Sequence, residues 1–116
     1  MAKISIAAML FTMKRTLAKL LIERESRPER VGPRVTALRE ALELTKAEFA
    51  DSIGLDRSSL TKVEKGDMGL DIAAGERVAA LYGVGLDFIY RGDLSDVPLA
   101  IRPALMANLA TLRTSQ

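Results

Sequence analysis

Residues 46–65 read KAEFADSIGLDRSSLTKVEK, and this stretch decides the fold. It holds two short helical patterns hinged on one glycine, Gly54. Apolar side chains stand at Phe49, Ile53, Leu55, Leu60 and Val63, a spacing that turns one face of each helix toward a common core. Ala50 fills the position where a larger side chain would push the helices apart. Gly54 falls where the chain must turn sharply, a place that favours a residue without a Cβ. The layout is that of a helix-turn-helix, whose second helix can enter the major groove of DNA.

The flanking signals agree. Thr45-x-x-Glu48 is a capping box, in which hydroxyl and carboxylate satisfy free amides at the start of a helix. Asp56 caps the second helix, expected over residues 57–65, and Gly66 supplies a left-handed stop. Upstream, residues 34–43 predict a helix with Val35, Leu38, Ala41 and Leu42 inward. Downstream, Asp71 caps a helix to about Tyr82, with Ile72, Val78, Ala79 and Tyr82 expected toward the core. Gly75 inside that helix costs roughly 1 kcal/mol against alanine, and close packing is expected there. A short fifth helix over residues 87–90 returns Phe88 and Ile89 to the core, and Gly92 closes it.

Outside this unit, residues 4–24 predict a helix. Ile6, Leu10, Met13, Leu17 and Leu20 recur as one apolar stripe, with Lys14, Arg15, Lys19 and Glu23 off it. The basic pair follows the apolar run, the reverse of a signal peptide, and the run is too short to span a bilayer. Residues 25–33, ESRPERVGP, carry two prolines and a glycine and are expected to break the helix as a linker. Near the other end, Pro103 suits a first helical turn, and Leu105, Leu109 and Leu112 repeat at helical spacing. The expected organisation is an amino-terminal amphipathic helix and linker over 1–33, a helix-turn-helix DNA-binding domain over 34–92, and a helical tail over 93–116.

Composition points the same way. The 116 residues are 48% hydrophobic but only 4% aromatic, with no tryptophan, which favours an all-α fold over a sandwich or barrel. Without cysteine there is neither a disulfide framework nor a thiolate to bind zinc. Without histidine the usual general acid–base and the commonest metal ligand are missing. No enzyme, cofactor or metal site is therefore expected. The net charge of +2 is uneven: residues 1–30 carry seven Lys/Arg against three Glu, while residues 31–116 carry ten against twelve acids. Positive charge for DNA must then be concentrated on one face of the domain.

From Arg34 to about Gly92 the sequence resembles the Cro/repressor-type (XRE) helix-turn-helix family. The likeness rests on Thr45-Lys46-x-Glu48-Phe49-Ala50, Ile53-Gly54-Leu55, the helix RSSLTKVEKG, and Leu86-Asp87-Phe88-Ile89. It implies a five-helix repressor-like domain, here with extra amino-terminal and carboxy-terminal helices. It also implies a structural ion pair between Arg39 and Glu64, partly buried, that fixes the angle between two helices. The family usually places glutamine on a phosphate at the start of its second helix. This chain has Lys46 there, which can still meet a phosphate as a point charge.

With Leu60 and Val63 inward, Arg57, Ser58, Thr61 and Lys62 share the outer face of the second motif helix and are the candidates for reading bases. Ser59, Lys65 and Lys46 are placed for phosphate contacts. Asp56 and Asp51 bring acid close to the same face, and Glu76 and Arg77 read as a solvated surface. The expected function is a cytoplasmic, repressor-like regulator that binds double-stranded DNA as a homodimer, with no membrane role. The two surplus apolar helices are candidates for the subunit interface, the first more than the second. The alternative is an antitoxin or anti-repressor-type module of the same fold, whose main partner is another protein.

Overall fold

The computed structural model describes residues 6–114, of which residues 16–24 and 113–114 are defined as helical backbone only. Among the described residues the chain is helical and contains no strand. Its elements are α1 (Ile6–Glu25), α2 (Pro28–Ala41), α3 (Lys46–Ser52), α4 (Arg57–Glu64), α5 (Ile72–Tyr82), α6 (Leu86–Arg91), a single 3₁₀ turn (Leu94–Asp96) and α7 (Arg102–Thr114).

Helices α2 to α6 enclose one core. Val35, Leu38, Phe49, Ile53, Leu60, Val63, Val78, Val84, Phe88 and Ile89 are nearly inaccessible to solvent. Short helices hold here because their ends are satisfied. The Thr45 hydroxyl accepts from the Glu48 amide at 3.1 Å while the Glu48 carboxylate accepts from the Thr45 amide at 3.0 Å, completing the capping box. Asp56 accepts from the Ser59 amide at 2.6 Å, and Asp71 from the Ala74 amide at 2.7 Å. At the far ends, the Leu44 amide donates to the Arg39 carbonyl at 3.1 Å and the Asp67 amide to the Lys62 carbonyl at 2.9 Å. Each is the long bond of a Schellman turn, with Glu43 (φ 59°) and Gly66 (φ 81°) at the left-handed position.

Three expectations require correction. The linker over residues 25–33 contracts to residues 26–27, because α2 begins at Pro28 instead of Arg34. Pro28 sits in the first turn, where a missing amide donor costs nothing. Pro33 forfeits a single intrahelical bond, and burial of Val31 (1% exposed) beside Val35 outweighs that loss. Gly32 is no breaker either. A Cβ there would stand 2.6 Å from the Val63 carbonyl oxygen and 2.7 Å from that of Glu64, so its bareness lets α2 lie directly on the end of α4. Ile72, expected inside, is 55% exposed: it opens α5 at the first residue after the cap and faces solvent.

Helix α7 folds back across α2. Leu105 is completely buried, Leu109 and Leu112 pack against the core, and the Asn108 side-chain amide donates to the Ala37 carbonyl at 3.1 Å. Gly75 marks the expected tight contact: a Cβ would meet Leu86 and Tyr90 at 3.0 Å.

Candidate nucleic-acid interface

The helix pair α3–α4 is set by a turn with little freedom. Gly54 takes φ 75°, a conformation that disfavours side chains, and the Leu55 amide returns to the Ala50 carbonyl at 2.9 Å. The Arg77 guanidinium lies over Gly54, donates to the Ile53 carbonyl at 3.0 Å, and so closes the end of α3. Arg77, exposed on the solvated face of α5 as expected, is in addition a structural clasp on the turn. Beneath the pair, Phe49 packs on Tyr82 with ring centres 5.7 Å apart, and the Ser52 and Tyr82 hydroxyls meet at 2.5 Å.

Arg39 of α2 holds the other end of α4. Its Nε and Nη2 donate to the two Glu64 carboxylate oxygens at 2.8 and 3.2 Å, and its Nη1 donates to the Leu44 carbonyl at 3.1 Å. The side chains are 13% and 6% exposed. The hydrogen bonds to Glu64 raise the Arg39 guanidinium above its ordinary range, so Arg39 stays charged in the seam.

With Leu60 and Val63 locked in the core, α4 turns its opposite face outward. Arg57, Ser58 and Lys62 are exposed there and Thr61 is half-buried. Lys65 is exposed at the end of α4, and Lys46 is half-buried at the positive end of α3. Ser59 is half-buried and its backbone amide is committed to the Asp56 cap. That bond holds the Asp56 carboxyl below the usual carboxylate range, and Lys62 adds to the effect, so a fixed anion stands on the rim of this cationic face.

Three structural side chains or backbone positions escaped sequence reasoning: Gly32, Arg77, and Arg34. The Arg34 guanidinium is buried, donates to the carbonyls of Glu25 (2.8 Å) and Ile89 (3.1 Å), and pairs with the Glu25 carboxylate. Desolvation lowers the Arg34 pKa, partly offset by Glu25.

Residues 35–89 match the helix-turn-helix family. This segment belongs to the Cro/repressor-type (XRE) helix-turn-helix family, a family of DNA-binding regulators not typically enzymatic. No curated protein and no solved structure gives a significant match. No helix among the described residues is long and apolar enough to cross a membrane.

Proposed function

We propose that this chain is a sequence-specific, repressor-like transcriptional regulator that binds double-stranded DNA as a homodimer in the cytoplasm. The outward face of α4 carries the reading: Arg57, Ser58, Thr61 and Lys62 opposite the locked pair Leu60 and Val63. Arg57 and Lys62 suit guanine O6 and N7, and Ser58 and Thr61 suit either partner of a base pair. Arg57 and Ser58 open the helix, the end that reaches the base edges in this docking mode. Lys46 and Lys65, with the Ser59 hydroxyl, take phosphates on either side. The basic amino-terminal thirty residues add a sequence-independent attraction to the duplex.

Selection of bound sequences from a random duplex pool with the purified chain tests this. The expected result is a motif with two-fold symmetry; a pool that stays random sinks the reading. The acid excess over residues 31–116 favours a second reading, an antitoxin or anti-repressor-type module that binds protein. A stable hetero-partner that co-purifies from the native host, with no motif emerging from the pool, decides for it.

A further inference from the structure

Helix α1, among its described side chains, is exposed throughout residues 6–15. Its main contacts with the rest of the chain go to α2 and α6, and its amino-terminal half leaves Ile6 (75%), Met9 (51%), Leu10 (52%), Phe11 (63%) and Met13 (61%) exposed. The chain measures 64 Å along its longest axis and 30 and 27 Å across. A helix of 20 residues is about 30 Å long, so α1 accounts for the excess. Its root is not a loose tether: Arg34 binds the Glu25 carbonyl and carboxylate together with the Ile89 carbonyl, joining α1, α2 and α6 at one guanidinium.

We propose that the stretch from Ile6 to Met13 is the dimerisation surface, packing antiparallel on the same stretch of a second copy. This rests on the DNA-binding reading for the use the dimer is put to, and its test is separable from it. The carboxy-terminal helix is not a competitor, because α7 turns its stripe of Leu105, Leu109 and Leu112 onto its own domain.

Area, charge and length each support a second copy as the occupant. Ile6, Met9, Leu10 and Met13 share one face of α1, while Phe11 lies on the opposite side beneath Arg15. The four offer roughly 300–400 Å² of apolar surface per chain, the size of patch that on a monomer is commonly functional. Two copies face to face bury about twice that, below the ~1,200 Å² at which stable specific interfaces begin and in the range of weak, transient ones, which suits a dimer that forms only with the help of two adjacent half-sites. Residues 6–22 contain Lys14, Arg15 and Lys19 and no carboxylate. A parallel pair sets these cations side by side. An antiparallel pair centred near Leu10 separates the two Lys14 positions by about 12 Å along the axis, more than a Debye length. The same pairing leaves the two Glu25 roots about 45 Å apart. That clears two domains 27–30 Å wide and is of the order of the ~34 Å between half-sites one turn apart.

Sedimentation equilibrium of the full chain, alone and with a duplex bearing two copies of the selected half-site, gives the first readout. Leu10→Glu is expected to raise the dimer dissociation constant at least tenfold while the melting temperature and binding to a single half-site stay unchanged. The chain lacks cysteine, so Ile6→Cys and Leu10→Cys each install one thiol. A short bismaleimide is expected to join two Leu10→Cys chains efficiently and two Ile6→Cys chains poorly. A chain that stays monomeric to about 100 μM with and without the duplex overturns the inference. So does a dimer indifferent to Leu10→Glu, or equal crosslinking at both positions. Co-flotation of a monomeric chain with phosphatidylserine–phosphatidylcholine vesicles, lost in Leu10→Glu, assigns the surface to lipid and also overturns it. A dimer that Leu10→Glu breaks, in a chain that selects no duplex, upholds this inference and sinks the DNA reading alone.

Discussion

Arg39 and Glu64, 25 positions apart in sequence, meet through two hydrogen bonds of 2.8 and 3.2 Å at the seam between α2 and α4. The pair fixes the tilt of the outward-facing helix. Removing one partner leaves the other charge buried, so Arg39→Met is expected to destabilise the domain by about 2–4 kcal/mol. The double change Arg39→Met with Glu64→Leu is expected to recover most of that, since no ion then remains in the seam. Urea unfolding of the three variants gives both numbers. Equal stability of Arg39→Met and the parent would show that the pair carries no structural load.

Gly32 gives a prediction opposed to helix propensity. Alanine is ordinarily better than glycine inside a helix, by about 1 kcal/mol. Here its Cβ runs into the backbone carbonyls of Val63 and Glu64, which cannot rotate away. Gly32→Ala is expected to cost about 1–3 kcal/mol, the range for overpacking, read as a lower denaturant midpoint with unchanged slope.

For DNA, Arg57→Ala is expected to relax discrimination at one base pair by about 1–3 kcal/mol, and Lys46→Ala to weaken all sequences alike and reduce the salt slope by about one. Titration of a selected duplex and a scrambled one at several salt concentrations separates the two effects. Unchanged discrimination in Arg57→Ala removes that residue from the reading face.

Asp56 has two effects that one substitution can separate. Asn keeps an acceptor for the Ser59 amide but removes the anion beside Lys62. Asp56→Asn is therefore expected to tighten binding to any duplex with little change in melting temperature, whereas Asp56→Ala is expected to lower that temperature. The Asp56 pKa is depressed in the folded state, so its stabilising effect is present above the unfolded carboxylate pKa and fades as pH falls through the folded one. Asp56→Asn is expected to flatten that acid limb.

Tyr90 sets the alkaline limit. Burial, and then the Asp71 charge, push its phenol from 10.0 up to about 12, and its hydroxyl donates to the Leu70 and Asp71 carbonyls at 2.7 and 3.1 Å. Between these two values the unfolded chain has released a proton that the folded chain keeps, so stability falls as pH rises through that window. Tyr90→Phe is expected to lower stability near neutrality and to remove that part of the alkaline decline, measured by thermal unfolding against pH.

Helix starts were the most legible features because their signals are local. Thr45 with Glu48, Asp56 and Asp71 each announce a helix within three residues of themselves, and each caps one. The exposed face of α4 follows from Leu60 and Val63 by helical geometry alone. What could not be read is what depends on a distant partner. Pro28, Gly32 and Pro33 look like a break because propensity is a local quantity, and the contact with Val63 and Glu64 that favours a helix lies thirty positions away. Arg77 is exposed as its position implies, but its clasp on the turn is not legible, because its acceptor, the Ile53 carbonyl, becomes available only when α3 ends beside α5. Arg34 falls at the seam between two segments that the prolines seemed to separate, so its bond to Glu25 had no counterpart in the pattern.

The clamp on α4 has a kinetic corollary. Its start is fastened by Asp56 and the Gly54 turn, and its end by Glu64 on Arg39 and by Gly32 pressed against its last carbonyls. A rod held at both tips has little internal motion left to surrender on contact, and no folding step has to precede capture. Good and poor operators should then be met at similar speed, and the choice between them made by how long each keeps its visitor.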